Sequence, residues 1–340
     1  MKFYPRPASD GRAIVSVVAP VFNESEGISA FVSAVVAELD RLPYTWEIVL
    51  VDDGSTDSTW ETLQALHAED RRVKILRFSR NFGNQAAVSA GLKFAQGDAI
   101  ITMDSDLQHP PELIPQMVQH WQNGFHSVFT IRTYSENTGI FKRVMSSLFA
   151  KIMHLLSQTP MQEGTSDYRL LDRKVVDSVN LMGENARFLR AMISWLGFRQ
   201  VGISFKTNPR IAGTTKFSFM KLFRLSLDSI TSFSVLPLRW ITVCGLIVAA
   251  LSLCYAAYIV GEVWLWGITS PGWPTLIVTI LFLGGMQLTA LGIVGEYVGR
   301  IYMETKRRPL FVVQDKFGFE SESIDIPLLE RGQEDKEQAA

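Results

Sequence analysis

Ile100-Ile101-Thr102-Met103-Asp104-Ser105-Asp106-Leu107-Gln108 runs four apolar or β-favouring residues straight into two carboxylates and an amide at alternate positions. Along an extended segment that alternation points Asp104, Asp106 and Gln108 to one side. Carboxylates held so close repel each other unless a cation lies between them. Oxygen ligands alone favour a hard divalent ion, Mg²⁺ or Mn²⁺, with positions left open for substrate phosphates. His109-Pro110-Pro111 ends the strand, and Glu112 to Trp121 reads as a helix with proline at its start. A lone D-x-D triplet is short, and taken by itself it is as well read as an Asp-rich turn capping that helix.

The neighbouring sequence adds weight to the functional reading. Residues 14–132 alternate strand and helix signals: strands at Ile14–Ala19, Glu47–Val51, Val73–Phe78 and Ala99–Met103, with helical periodicity between them. Such alternation implies a doubly wound, mostly parallel sheet, which binds ligands beyond the carboxyl ends of its strands. Three polar clusters fall at such ends: Asn23-Glu24, Asp52-Asp53 and Asp104-Ser105-Asp106. Asp52-Asp53 alone is equally read as a turn capping the next helix, although Asp57 is better placed for that cap. No G-x-G-x-x-G or G-x-x-x-x-G-K-[ST] occurs, which argues against a dinucleotide oxidoreductase or a P-loop NTPase.

The chain has 340 residues and a net charge of −1, so nothing in its balance points to nucleic acid. Cys244 and Cys254 lie in an apolar segment and make neither a disulfide framework nor a metal motif. The apolar run from Ile14 to Phe22 is too short for a signal peptide and contains Pro20. Residues 240–260 and 275–295 carry no charged side chain, and each is long enough to cross a bilayer core of about 30 Å. Arg239 precedes the first stretch and Arg300, Lys306, Arg307 and Arg308 follow the second, while the connecting loop holds Trp264, Trp266 and Trp273 but no Lys or Arg. The expected layout is a cytoplasmic domain over 1–234, a transmembrane hairpin over 235–299 and a cytoplasmic tail over 300–340, in an inner or plasma membrane. Gly295 and Gly299 form a G-x-x-x-G that permits close helix contact and a homo-oligomer.

Val18-Ala19-Pro20-Val21-Phe22-Asn23-Glu24, Val51-Asp52-Asp53-Gly54-Ser55-Thr56-Asp57, Arg80-Asn81-Phe82-Gly83 and Asp104-Ser105-Asp106-Leu107-Gln108, in that order, resemble glycosyltransferase family 2 with its GT-A fold. The branch they look most like is the polyprenyl-phosphate glycosyltransferases, similar to dolichyl-phosphate mannose synthase and, with two C-terminal spans, to bacterial bactoprenol glucosyltransferases. The likeness extends from residue 14 to about 308. It implies that Pro20, Phe22 and Glu24 line a nucleotide pocket, that Asp52 and Asp53 contact base and ribose, and that Asp104, Asp106 and Gln108 hold the metal against the diphosphate.

Two further segments read as lipid-facing. Phe141, Val144, Met145, Leu148, Phe149, Ile152 and Leu156 make one apolar helical face, with Arg143, Ser147 and Lys151 four apart on another. Such a helix fits a membrane interface over 139–157, or simply the side of the sheet. Residues 217–233 are apolar over a still wider face. The resemblance assigns Arg132, Arg143 and Ser147 to the acceptor phosphate, with Lys151 on the same face. It also makes Arg210 and Lys216, in Arg210-Ile211-Ala212-Gly213-Thr214-Thr215-Lys216, a loop closing over the diphosphate or acceptor. Asp167, in Ser166-Asp167-Tyr168-Arg169, reads as an orienting or proton-accepting catalytic group beside Asp106, or as an ion pair of Arg169. His109, His120 and His154 show no ligand spacing and read as structural or exposed.

The expected reaction is an inverting, metal-dependent transfer of a sugar, first of all glucose from UDP-glucose, to a polyprenyl phosphate such as undecaprenyl phosphate. A flippase and a glycan-modifying transferase would act downstream. A processive polysaccharide synthase would need a Gln-x-x-Arg-Trp motif, but Leu236 precedes Arg239-Trp240 at that spacing. A non-catalytic scaffold binding nucleotide sugar stays open.

Overall fold

The strands are apolar at nearly every position, the pattern of a sheet covered on both faces. In the computed structural model, which describes residues 13–133, 164–184, 187–206, 236–266 and 272–319, both faces are covered. Strands β1 (Ile14–Val21), β2 (Thr45–Asp52), β3 (Val73–Phe78) and β4 (Ala99–Thr102) alternate with helices α1 (Ile28–Leu39), α2 (Thr59–Glu69) and α3 (Asn84–Phe94). A short 3₁₀ turn over Pro111–Leu113 leads into α4 (Ile114–Gln122). There follow β5 (Ser127–Thr133), β6 (Thr165–Asp172), α5 (Arg173–Leu181), α6 (Leu189–Trp195) and β7 (Gln200–Lys206).

Side chains of each strand divide between two cores with period two. Val17, Ala19, Ile48, Leu50 and Ile101 pack with Phe31 and Val35 of α1, Leu63 of α2 and Met117 of α4. Val18, Val49, Val51 and Ile100 face the other way, onto Ala87 and Leu92 of α3, Val175 of α5 and Met192 of α6. Each fully buried Leu, Ile, Val or Phe contributes about 1.5–3 kcal/mol.

The sheet runs β7-β5-β6-β4-β1-β2-β3-β8, the last strand being Val313–Phe317. Its centre, β4-β1-β2-β3, is parallel as expected, whereas β6 lies antiparallel to both β4 and β5. Because β6 runs the other way, its first residues meet the carboxyl end of β4: Thr102 pairs with Arg169, and the Thr102 hydroxyl donates to the Asp167 carbonyl at 2.7 Å. That inversion carries Ser166 and Asp167 to the edge of the sheet where β1, β2 and β4 end.

Two long helices follow, α7 (Leu236–Trp266) and α8 (Trp273–Thr305), and then β8 (Val313–Phe317). Among the described residues no helix is long and apolar enough to cross a membrane. The uncharged stretches 240–260 and 275–295 lie within α7 and α8, where some side chains fall outside the described set. The described apolar side chains there, Leu246, Leu251 and Leu253 on α7 and Ile280, Leu288 and Leu291 on α8 among them, are exposed.

Strand β8 falls inside the stretch expected to be a tail. It pairs antiparallel with β3, and Phe311 just before it stacks on Phe78 at 5.2 Å. Five residues of mixed polarity at a sheet edge carry little strand signal until a partner supplies the ladder. The expected interface helices over 139–157 and 217–233, and with them Arg143, Ser147, Lys151, Arg210 and Lys216, lie outside the described residues.

Candidate active site

The carboxyl ends of β1, β2 and β4, with the loop after β3, surround a cleft of about 420 Å³ lined by Pro20, Val21, Phe22, Glu24, Asp53, Asn81, Gly83, Asn84, Asp104, Ser105 and Asp106. The turn after β1 holds Asn23 in the left-handed region (φ 54°) and is tied to the turn after β2. The Asn23 amide donates to Ser55 Oγ at 3.0 Å, Asn23 Oδ1 accepts from the Thr56 amide at 2.9 Å, and the Glu24 amide donates to Thr59 Oγ1 at 3.0 Å. Asp57 accepts from the Thr59 amide at 3.1 Å, which is the capping role expected of it.

The two aspartates after β2 separate. Asp52 is fully buried: Oδ1 accepts from the Ser55 amide at 2.9 Å and Oδ2 lies 3.4 Å from Arg77 Nε. It shapes the turn and does not line the cleft. Asp53 lines it, and its carboxylate accepts from the Phe82 and Gly83 amides at 2.6 and 2.9 Å. Burial pushes the Asp53 carboxyl up, the two amide bonds oppose that, and the charge of Asp52 adds to the rise. Gly54, at φ 70°, permits the contact: a β-carbon there would sit 2.6 Å from the Arg80 carbonyl carbon.

The acidic turn corrects the expected alternation. β4 ends at Thr102, and the following residues turn, with Leu107 at φ 56°. A turn has no period of two, so the sheet rule does not extend to Gln108. Asp104 and Asp106 both reach the cleft, whereas Gln108 is not among its lining residues and donates its amide to Asp106 Oδ1 at 3.1 Å. Burial pushes the Asp104 carboxyl up; His109 opposes this, and the charges of Asp167 and Asp106 reinforce it. A bound cation would relieve that repulsion, so the donor set fits a hard divalent ion. Among the described residues no group of three or more His, Cys, Asp or Glu is placed to hold a metal. Asp104 and Asp106 are then the described side chains that would hold such an ion.

Arg132 and Asp167 are not lining residues of the cleft: Arg132 lies 3.1 Å from His109, which the Asp104 amide contacts from the acidic turn, and Asp167 acts on Asp104 through its charge. His109, which showed no ligand spacing, is fully buried beside the acidic turn. Asp167 is not paired with Arg169: it forms a bidentate pair with Arg190 at 2.6 and 2.7 Å, while Arg190 Nη1 donates to the Thr165 carbonyl at 2.9 Å. Burial favours the neutral acid at Asp167, but the Arg190 bonds and charge outweigh it and hold the carboxyl below the usual carboxylate range. Arg169 is itself buried and donates to the Ser166 carbonyl; burial pushes its guanidinium down to about 10. Asn84, which lies 3.5 Å from Asp104 Oδ1, and Arg190 had no motif to mark them.

Against known proteins, the profile of glycosyl transferase family 2 matches residues 16–179, the span that contains most of β1, all of β2 to β6 and every cleft-lining residue. A bactoprenol glucosyl transferase of Shigella phage SfV is 40% identical over 302 residues, 89% of this chain and 98% of that one. The chain belongs to glycosyl transferase family 2. A prophage bactoprenol glucosyl transferase homolog of Escherichia coli is 41% identical over 300 residues, covering 88% of this chain and 98% of its own. Among solved structures, mannosyl-3-phosphoglycerate synthase from Rubrobacter xylanophilus aligns with a TM-score of 0.48 and 20% identity, over 65% of this chain and 73% of that one.

Proposed function

We propose that this family 2 enzyme transfers glucose from UDP-glucose to a polyprenyl phosphate with inversion at the anomeric carbon, at the cytoplasmic face of an inner or plasma membrane. The observation that carries the reading is the gathering of Asp53, Asp104 and Asp106 around one cleft at the strand ends, with Arg132 and the Asp167–Arg190 pair beside it. The two bactoprenol glucosyl transferase relatives support the choice of lipid acceptor and of glucose.

Phe22 and Glu24 would flank the nucleotide, and Asp53 would meet base or ribose donors, since a carboxylate oxygen keeps acceptor capacity beyond one amide bond. Asp104 and Asp106 would hold Mg²⁺ or Mn²⁺, which when bound neutralises charge on the departing diphosphate. Arg132 would orient the acceptor phosphate, an anion with a second pKa near 6 that is already mostly dianionic at neutral pH. Positioning therefore matters more than deprotonation, and Asp167, clamped by Arg190, acts as an orienting anion. The uncharged stretches within α7 and α8 would hold the catalytic domain against the bilayer that contains the acceptor.

The test is transfer of radiolabelled sugar from a panel of nucleotide sugars to undecaprenyl phosphate in detergent, by purified full-length protein, with and without EDTA. A lipid-linked product from UDP-glucose alone, lost with EDTA and restored by Mg²⁺ or Mn²⁺, is the expected result. Nucleotide-sugar binding without transfer to any lipid phosphate would favour a scaffold.

A further inference from the structure

Both ring nitrogens of His109 are engaged, and by opposite halves of the site. The Asp104 amide points its N–H at Nδ1 at 3.1 Å. That bond requires a lone pair on Nδ1, so the ring proton sits on Nε2. Nε2–H donates to Ser166 Oγ at 2.9 Å, and the same oxygen lies 3.3 Å from the Tyr168 amide that donates to it. Arg132 Nη2 comes within 3.1 Å of Nε2, which in this tautomer has no lone pair to offer. Arg132 Nε is buried and finds no hydrogen-bond partner. The ring is fully buried, lies nearly flat on Tyr168 at 5.1 Å and 23°, and meets the edge of Phe205 at 6.2 Å. Tyr168 is anchored in turn by its hydroxyl, which donates to the Pro110 carbonyl at 3.0 Å.

We infer that His109 is a positioning residue for transfer, a rigid spacer that sets the Asp104 turn on the donor side at a fixed distance from Ser166 and Arg132 on the acceptor side. The two attachments differ in kind. The Nδ1 bond fixes the backbone from which the Asp104 carboxylate projects. The Nε2 bond holds Ser166, and the ring leaves the Arg132 donors to an anionic oxygen. The inference rests on the proposed assignment of Asp104 to the donor diphosphate and Arg132 to the acceptor phosphate.

His109→Asn keeps an acceptor near the Nδ1 position and loses the reach to Ser166, whereas His109→Gln keeps a donor near the Nε2 position and loses the Asp104 bond. The experiment compares both, and His109→Ala, with the full-length protein in detergent. It measures UDP affinity by calorimetry with Mn²⁺ and no lipid, KM for each substrate, and the melting temperature. His109→Ala should lower transfer by about 10- to 100-fold, the usual effect of losing a residue that orients a ligand-binding group. His109→Asn should keep wild-type UDP affinity and raise KM for the lipid phosphate; His109→Gln should weaken UDP and leave the lipid KM near wild type. Activity of His109→Ala close to wild type would overturn the inference. So would identical Asn and Gln profiles whose losses follow the fall in melting temperature. If the wild-type protein transfers nothing, the functional assignment fails, and UDP affinity alone still decides His109: retained in Asn and lost in Gln supports the spacer, and equal affinities overturn it.

Discussion

Removing the Arg190 guanidinium tests what Asp167 is for. In the folded protein Arg190 Nε and Nη2 grip the two carboxylate oxygens at 2.6 and 2.7 Å, and the two side chains are 34% and 30% exposed. Breaking a fully buried pair costs about 3–5 kcal/mol and an exposed one about 0–1, so Arg190→Ala should cost about 2 kcal/mol. For a domain of this size that is a fall of roughly 4–8 °C in melting temperature. The sign with pH follows from the lowered Asp167 carboxyl: its contribution to stability is complete above the ordinary carboxylate range and is lost as pH falls through the depressed folded value. Without Arg190, Arg169 is the neighbouring cation left to oppose burial, so Asp167 takes up its proton at higher pH. Transfer rates from pH 5 to 9 should therefore show an acid limb displaced upward in Arg190→Ala, partly restored in Arg190→Lys, and absent in Asp167→Asn. The losses of Arg190→Ala and Asp167→Asn should not add in the double variant, because both remove one unit. A pH profile of Arg190→Ala that superimposes on wild type, with only the melting temperature lowered, would show that the pair braces the fold and takes no part in transfer.

Asp104→Asn and Asp106→Asn should each weaken Mn²⁺-dependent UDP binding by about 10-fold or more and leave the melting temperature nearly unchanged, because both side chains face the cleft; calorimetry with and without metal checks this. Gly54→Ala should cost about 2 kcal/mol or more and raise KM for the nucleotide sugar, since the new methyl would strike the Arg80–Asn81 peptide. Phe311→Ala removes the ring stacked on Phe78, which packs at 5.6 Å on Phe82 of the Asp53-binding loop; an increase in donor KM with lipid KM unchanged is expected from steady-state kinetics. Glu47→Ala should destabilise by about 3 kcal/mol in denaturant melts without changing either KM, as it removes the Lys74 ion pair and the acceptor of the Ser16 hydroxyl and the Gln96 amide at the opposite end of β2 from the cleft.

The parallel centre of the sheet was readable because strands covered on both faces are apolar almost throughout, and helical periodicity separates them. The placement of Asn23-Glu24, Asp53 and Asp104–Asp106 followed, since strand ends in such sheets converge. What was not readable depended on where regular geometry stops. The strand rule stops at Thr102 and does not place Gln108 beside Asp104 and Asp106, because Leu107 in the left-handed region turns the chain. Asp52 and Asp53 are identical in sequence terms, and only the last step of β2 decides which turns inward. The partner of Asp167 lies 23 positions away on α6, a pairing no local pattern encodes. His109 looked unremarkable because its partners come from three segments, the acidic turn, β5 and β6.

Strand β8 constrains how the long helices are arranged. The Ser79 amide donates to the Val312 carbonyl at 3.1 Å, and Val313–Phe317 pairs with β3, so the chain leaving α8 returns to the sheet whose other strands precede α7. The Thr305 end of the segment is thereby tied to the sheet, while the residues joining β7 to Leu236 lie outside the described set. The returning strand begins next to Ser79, one residue before the Arg80–Gly83 loop whose amides hold Asp53. Anchored there, the end of α8 keeps a fixed place relative to the cleft.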